Sequence, residues 1–401
     1  MMQDAFIYAG LRTPVGRYGG ALATIRPDDL LARCLAAIVD RAPFNPSHYE
    51  DVIVGCTSQA GEDARNVARH ASLVAGLPVG IAAQTVNRLC GSGLAAVADA
   101  ARAAAVGQGD LFLAGGVESM SRAPFVMAKA ETAFARQARI YEALGERFPN
   151  PVVHARFGRD SMPQTGDNVA AEQGISRADA DAFALASQQK YARALHEGFF
   201  EGEIVPVTVR GRKGVEIEVA ADEHPRPDSN LEGLARLPAL FEGGVVTAGN
   251  ASGVNDGAAA LIVGTRAAGE AAGAEPMVRI ASVAVAGVEP RVMGLGPVPA
   301  SAKALERAGL TLADMDLIEL NEAFASQALA CLKLMGVAFD DPRVNPNGGA
   351  IAIGHPLGMS GARLALTAAR QLARGAGRYA LVTMCIGLGQ GIAMILERAE
   401  S

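Results

Sequence analysis

The stretch Ser92-Gly-Leu-Ala-Ala-Val-Ala-Asp-Ala-Ala-Arg102 returns, 268 positions further on, as Ser360-Gly-Ala-Arg-Leu-Ala-Leu-Thr-Ala-Ala-Arg370. The Ser-Gly pairs coincide, the Ala-Ala-Arg triplets coincide, and beyond them Gly107 and Gly109 fall on Gly375 and Gly377. Upstream, Asp51-Val-Ile-Val-Gly-Cys56 parallels Asp316-Leu-Ile-Glu-Leu-Asn321 at a shift of 265. Several matches in one order at nearly one offset are the mark of an internal repeat. The chain reads as two copies of one unit.

Within each copy, apolar runs alternate with helical patterns. Ala5–Ala9, Val52–Val54 and Leu111–Ala114 read as buried strands, whereas Leu94, Val97, Ala98, Ala101 and Ala105 fall at helical spacing. The helix over Leu94–Val106 is so rich in Ala that it is expected in the interior. Arg363, Arg370 and Arg374 mark the polar stripe of the matching helix. Such alternation defines an α/β chain with a mostly parallel sheet. The copies differ in one place. In the second, Tyr379–Ile386 turns straight into Ile392–Leu396; in the first, Leu111–Ala114 meets its expected partner, Ala258–Val263, only after an insertion over 119–249. The expected halves are therefore 1–267, carrying that insert, and 268–401. The insert is charged, has Pro-containing turns (Phe148-Pro-Asn-Pro151 and His224-Pro-Arg-Pro227) and a helix around Arg177–Glu197. Such insertions shape substrate sites or subunit contacts. Arg210, Arg212 and Lys213 read as a solvated hairpin rather than a phosphate site.

Composition excludes several classes. A chain of 401 residues holds two or three domains with a large core, and 50% apolar against 19% charged residues argues against disorder. A net charge of −6 gives no general attraction for nucleic acid or acidic membranes. Five Cys without regular spacing are no disulfide framework and point to a reducing compartment. The first residues carry no targeting pattern, so a cytoplasmic location is expected. Tyr379–Leu396 is uncharged and long enough to span a bilayer, but Gly387, Gly389 and Gly391 with Gln390 divide it into two strands and a turn. No membrane partner is expected.

Chemistry gathers at four places. Cys90, in Val86-Asn-Arg-Leu-Cys-Gly-Ser-Gly93, immediately precedes the Ala-rich helix. Free N–H groups and the positive end of the helix dipole favour a thiolate there. At the matching place in the second copy, Gly348-Gly-Ala-Ile-Ala-Ile-Gly-His-Pro-Leu-Gly358 opens the other helix, and Cys90 aligns with Gly358, three residues beyond His355. Internal symmetry thus brings a thiol and an imidazole to neighbouring helix N-termini, the pairing a thiol nucleophile needs. Cys385 ends a buried strand, and Gly387 behind it leaves an exposed N–H of the kind that stabilises an oxyanion. Gly387-Leu-Gly-Gln-Gly391 runs into a strand, which rules out a dinucleotide fingerprint. Asn321-Glu-Ala-Phe324 sets a polar pair at the sheet edge. Cys34, Cys331 and Cys56 read as packing, and His48, His70, His154, His196 and His224 have no metal-ligand spacing, so no metal is expected.

Together these motifs resemble the thiolase family of acyl-CoA acyltransferases: Val86–Gly93, Asn321–Phe324, Gly354-His-Pro356 and Cys385-Ile-Gly387 match in type, order and spacing. The resemblance spans essentially the whole chain. It implies duplicated mixed-sheet halves in a five-layered αβαβα fold with a loop domain, and a homodimer or homotetramer. It further implies that Cys90 is the acylated nucleophile, that His355 activates it and binds the thioester oxygen, and that Cys385 is the acid/base. Asn321 would hold a water in that oxyanion hole; the N–H groups of Cys90 and Gly387 would form a second. Arg226, Ser252, Ala323 and Phe324, with Met162 beside the pantetheine, would bind CoA, which is a substrate; no cofactor is implied. Arg12–Leu22, Gly115–Pro124 and Arg291–Pro297 are similar to the branch that cleaves 3-oxoadipyl-CoA in aromatic degradation, with acetyl-CoA acetyltransferases as the alternative branch. Ser161-Met162 departs from the His-Met of several biosynthetic members, and Asp167 is expected to be a tolerated surface change. Two rival classes are a decarboxylating condensing enzyme, against which the second Cys argues, and a non-catalytic acyl-CoA-binding protein, which would not need both thiols.

Overall fold

The computed structural model describes residues 3–63, 65–211, 214–375 and 377–399. Its main sheet contains β1 (Ala5–Arg12), β2 (Asp51–Gly55), β3 (Ala82–Val86), β4 (Leu111–Ser119), β5 (Asn255–Thr265), β6 (Val278–Gly287), β7 (Leu317–Leu320), β8 (Tyr379–Ile386) and β9 (Gln390–Arg398). They run in the order β7-β8-β9-β6-β1-β5-β4-β2-β3, with a two-residue strand, Gly16–Arg17, beside β5. Read from the centre, β1-β5-β4-β2 and β6-β9-β8-β7 mirror each other, and the two half-sheets join where Phe6 and Ile7 pair with Arg279 and Val278. The repeated segments of sequence are therefore repeated positions in space.

The sheet is mixed, not mostly parallel. β2 runs parallel to β3 and β4, and β7 parallel to β8, but β1–β5, β1–β6, β4–β5, β6–β9 and β8–β9 are antiparallel. The alternating pattern is indifferent to direction; the insertion lets β5 return antiparallel to β4, as the turn after Ile386 does for β9.

Helices complete the layers. α1 (Pro27–Arg41) and α2 (Val67–Val74) cover the outer face of the first half, packing Leu30, Leu31, Leu35 and Ile38 on Val52, Val54 and Leu113. α3 (Ser92–Ala105), with ten buried residues, lies inside. Later in the chain come α4 (Met162–Gln173), α5 (Arg177–His196), α6 (Pro297–Ala308), α7 (Ala325–Met335) and α8 (Leu357–Ala373). α3 and α8 share the central core with Ile53 and Ala114 from one half-sheet and Val382 and Met394 from the other. α6 and α7 cover the outer face of the second half over Leu381 and Ile395. Strand alternation decides the layer: Val52 and Val54 face outward while Ile53 faces α3.

The two central helices cross on backbone. A Cβ at Gly93 would lie 2.5 Å from the Gly358 carbonyl oxygen, and one at Gly361 would lie 2.4 Å from the Leu94 nitrogen. This close approach is what the repeated Ser-Gly permits. Of the expected arginine stripe of α8, Arg374 is exposed, Arg370 half-buried and Arg363 buried. Arg363 is only 2% exposed, while Arg370 and Arg374 lie over the ring of Phe199 and donate to its carbonyl, clamping the insert onto the second half. Among the described residues no helix is long and apolar enough to cross a membrane. Arg210 ends one strand of the hairpin Val207–Arg210/Glu216–Val219, and Arg212 and Lys213 lie outside the described residues.

Candidate active site

Cys90 stands just ahead of α3, whose N-cap is Gly91. The turn before it is unusual, because Leu89 adopts φ 46°, a left-handed conformation that non-glycine residues rarely hold without support. That support is local: Leu89 N–H donates to Asn87 Oδ1 at 2.9 Å, and Ser92 Oγ donates to the Leu89 carbonyl at 2.6 Å. Gly387 stands opposite, its backbone N–H and that of Cys90 itself directed at the Cys90 sulfur. Leu89 and, more distantly, the Met162 sulfur flank Gly387. Burial still raises the Cys90 thiol above its ordinary range, outweighing the two N–H groups that lower it. The helix N-terminus therefore does not by itself yield a thiolate, contrary to the expectation from position alone; a base is needed.

Cys385 lies at the end of β8, 1% exposed, in a small cluster with Val246, Met293, Ala323 and Phe324. Burial pushes its thiol well above the ordinary value, and the neighbouring Cys90 and Cys331 add to the rise. At neutral pH it holds its proton, ready to give it away.

His355 is buried and neutral. Burial depresses it first, the Arg363 guanidinium second, to about 3. Its tautomer follows from a count of protons. Ser360 Oγ lies 2.8 Å from the Pro356 carbonyl, to which it must donate, so it accepts from His355 Nδ1 at 2.6 Å. The proton then sits on Nδ1 and leaves Nε2 an acceptor, to which Asn321 Nδ2 donates at 3.4 Å. Asn321 continues β7 by donating its N–H to the Thr383 carbonyl, two residues before Cys385. Its Oδ1 is buried without a hydrogen-bond partner among the described residues, an acceptor turned toward whatever binds there.

The thiol pair and the imidazole–amide pair are thus held by adjoining elements. No hydrogen bond joins Cys90 to His355 among the described residues; the link is Glu118. This buried carboxylate accepts from the N–H groups of Thr57, Ser58 and Gly358 at 2.9–3.0 Å, and its charge also reaches Cys90. Cys56, at the sequence equivalent of Asn321, gives its thiol to the Ser58 carbonyl and is packing, as its pattern indicates. Cys34 and Cys331 are fully buried in α1 and α7.

The expected CoA contacts run from Ala323 and Phe324, buried beside Cys385, to Met162 and Arg226, which are exposed. Met162 begins α4, 42% exposed. Ser252 donates its N–H to the Ala323 carbonyl at 3.0 Å, and Ala251 bridges to Phe324, so these residues form one wall. Arg226 is exposed at the rim of a cavity that Gln188, His224, Leu234, Ala251 and Ile351 also line. Ser161 has a structural reason of its own: its backbone N–H donates to Gln164 Oε1 at 2.8 Å and so caps α4. Asp167 is no tolerated surface residue. Its Oδ1 accepts from the N–H groups of Val245 and Val246 and pins that segment to α4.

Several supporting residues escaped sequence reasoning. Ser360 was visible as the twin of Ser92, yet nothing local ties it to His355. Asn255 Oδ1 accepts the His355 N–H at 2.9 Å from 100 residues away. Glu322 accepts from Ser187, Asn345 and the Ile351 N–H, which fixes the loop before His355.

A cysteine at one helix start and an imidazole at the other, on duplicated half-sheets, define the class: the chain belongs to the thiolase family. Residues 5–267 match the thiolase N-terminal domain and residues 274–398 the thiolase C-terminal domain. It is 60% identical, over 99% of its length and all of the relative, to the 3-oxoadipyl-CoA/3-oxo-5,6-dehydrosuberyl-CoA thiolase of Escherichia coli (strain K12). It is 57% identical, with the same coverage, to the beta-ketoadipyl-CoA thiolase of Pseudomonas aeruginosa. Human mitochondrial 3-ketoacyl-CoA thiolase in complex with CoA superposes with a TM-score of 0.91 at 38% identity, covering 99% of this chain and 98% of that one.

Proposed function

We propose that this enzyme cleaves 3-oxoadipyl-CoA with CoA to acetyl-CoA and succinyl-CoA through an acyl-Cys90 intermediate. The observation that carries the proposal is the Gly387 N–H aimed at the Cys90 sulfur with the Cys385 thiol close behind. The relatives named above supply the acyl chain. His355 Nε2 takes the Cys90 proton, and the thiolate adds to the keto carbon. The N–H groups of Cys90 and Gly387 hold the resulting oxyanion, each donor worth about 3–4 kcal/mol. The bond between the keto carbon and the α-carbon then breaks, and its electron pair passes into the acetyl-CoA enolate. His355 and a water on Asn321 hold the enolate oxygen while Cys385 protonates its carbon. The Cys385 thiolate next takes the proton of incoming CoA, whose sulfur displaces the acyl group from Cys90, and the departing Cys90 thiolate takes its proton back from His355 Nε2. Arg226, Ser252, Met162, Ala323 and Phe324 hold CoA along the path described.

The chain is organised as halves 1–267 and 268–401 with 119–249 inserted, and it acts as a homodimer or homotetramer. Five unpaired cysteines support a reducing, cytoplasmic setting. Incubation with acetyl-CoA followed by peptide mass spectrometry should place an acetyl group on Cys90; a label elsewhere overturns the assignment. Thiolysis of 3-oxoadipyl-CoA should exceed that of acetoacetyl-CoA, and the reverse order would assign the acetyl-CoA acetyltransferase reading instead.

A further inference from the structure

Behind His355 and Asn321 lies a second pair that the reaction does not use. Arg363 Nη1 and Glu319 Oε2 are 3.8 Å apart, too far for a hydrogen bond and close to the span one bridging water covers. Both side chains are buried, at 2% and 0% exposure. Neither Nη atom of Arg363 and neither oxygen of Glu319 has a hydrogen-bond partner among the described residues, nor has Thr367 Oγ1 one turn further along α8. Charged and polar groups buried this deeply are costly unless paired or hydrated, of the order of 1–3 kcal/mol each and more for charges. A fold keeps such a group where it acts on something.

The elements show what it acts on. Ser360, Arg363 and Thr367 follow one another at three- and four-residue spacing, so they share one face of α8. Glu319 and Asn321 are two apart on β7 and its continuation, so they share one face of the strand. The two faces meet in two rungs: His355, held by Ser360, against Asn321, and Arg363 against Glu319.

We propose that Arg363 and Glu319 are positioning residues for this site, a buried guanidinium–carboxyl pair that braces the Asn321 amide and the His355 imidazole from behind, without touching substrate. The inference rests on the roles given above to His355 and Asn321. Among the described residues Arg363 is the one charge that lowers His355; its other close neighbours, Ser360, Asn321 and Asn255, carry none, and His224 beyond Asn255 is itself held neutral. Around the pair stand Arg12 of β1, Lys190 of α5, Glu203 of the insert and Glu322 beyond β7. Arg12 is already committed to Glu203 and Asp222, and Glu322 to Ser187 and Asn345. Glu319 therefore remains the nearest uncommitted acceptor for Arg363.

The test compares Arg363→Met, Arg363→Lys and Glu319→Gln with the parent. Two readouts are followed: thiolysis, and the pH dependence of Cys90 alkylation by iodoacetamide, which needs only His355 and the thiol. Arg363→Met should lower kcat about 10- to 100-fold through misplaced Asn321, with the KM for CoA unchanged. It should also move the acid limb of alkylation up toward the ordinary imidazole value of about 6.5, because the repelling cation is gone. Arg363→Lys should restore the low limb, and Glu319→Gln should leave it in place or lower while still reducing kcat. A packing role would lower kcat or stability in all three without moving the limb of Arg363→Met above that of Glu319→Gln, and that result overturns the proposal. If Arg363→Met does not fold, Arg363→Lys and Glu319→Gln decide: kcat unchanged in both overturns it. A parent enzyme whose Cys90 shows no selective alkylation and no thiolysis would instead sink the underlying reading of the site.

Discussion

The two central helices begin in the same way and end up doing opposite things. At α3, Ser92 Oγ donates to the Leu89 carbonyl and accepts the Arg88 N–H; at α8, Ser360 Oγ donates to the Pro356 carbonyl and accepts from His355 Nδ1. Each helix start faces the other half: Gly91 lies against Ile386, and Gly358 against Val117 and Gly55. The repeat places Val117 where Cys385 stands and Glu118 where Ile386 stands. In the second half the strand end thus offers a thiol and a free Gly387 N–H to the nucleophile; in the first, Glu118 fills the N-terminus of α8 by accepting the Gly358 N–H. Duplication supplied two equivalent pockets. One was left open for chemistry, and a carboxylate closed the other and made it a support.

The largest effect expected from this contrast is at the open end. Cys90→Ser should lower thiolysis on the order of 10⁴-fold or more, as loss of a nucleophile does, with the melting temperature retained. Cys385→Ser should lower Claisen exchange by about 10²- to 10⁴-fold, the range for a general acid–base group, yet still acquire acetyl on Cys90 from acetyl-CoA. Unchanged exchange would remove Cys385 from the reaction.

At the closed end the effects should be smaller and fall on stability. Glu118→Gln turns one acceptor oxygen into an NH₂ facing N–H donors and should cost about 1.5–3 kcal/mol in urea denaturation. A variant as stable as the parent would mean that the two helix starts are not in this sense different. Between the glycines, Gly358→Ala should cost more than Gly91→Ala, within about 1–3 kcal/mol. The first Cβ would meet the Val117 carbonyl oxygen at 2.3 Å, a backbone atom, whereas the second meets Ile386 Cδ1, the end of a side chain, at 2.6 Å.

The last signal is in pH. Burial first, and the nearby Arg226 second, lower His224 to about 4. The unfolded chain protonates this group below about 6.5 while the folded chain does not, so its contribution is intact above that pH and lost as pH falls toward 4. The loss is up to about 1.4 kcal/mol per pH unit. The stability difference between parent and His224→Gln, followed from pH 7 to about 4.5, should narrow accordingly. Taking the difference isolates this imidazole from carboxyls of opposite sign such as Glu319, which burial raises to about 8.

Much of this was legible in the chain. The repeat announced the duplicated halves, and the apolar runs located β8, β9 and α3 to within two residues. What escaped was long-range. β3 and β6 carry little continuous apolar signal: β3 is an edge strand, and β6 alternates buried with half-buried residues. Arg363 looked like a solvated residue because helical spacing tells which residues share a face, not what covers that face.

The order of residues by itself determined the two-copy plan, the thiol and imidazole at matching helix starts, and the glycines that allow those helices to touch, because periodicity and backbone clearance are local properties. Only the tertiary structure decided strand direction, the tautomer of His355, the high proton affinity of both thiols and the carboxylate behind Gly358. Each of these depends on desolvation and on partners that lie up to 240 residues away in sequence.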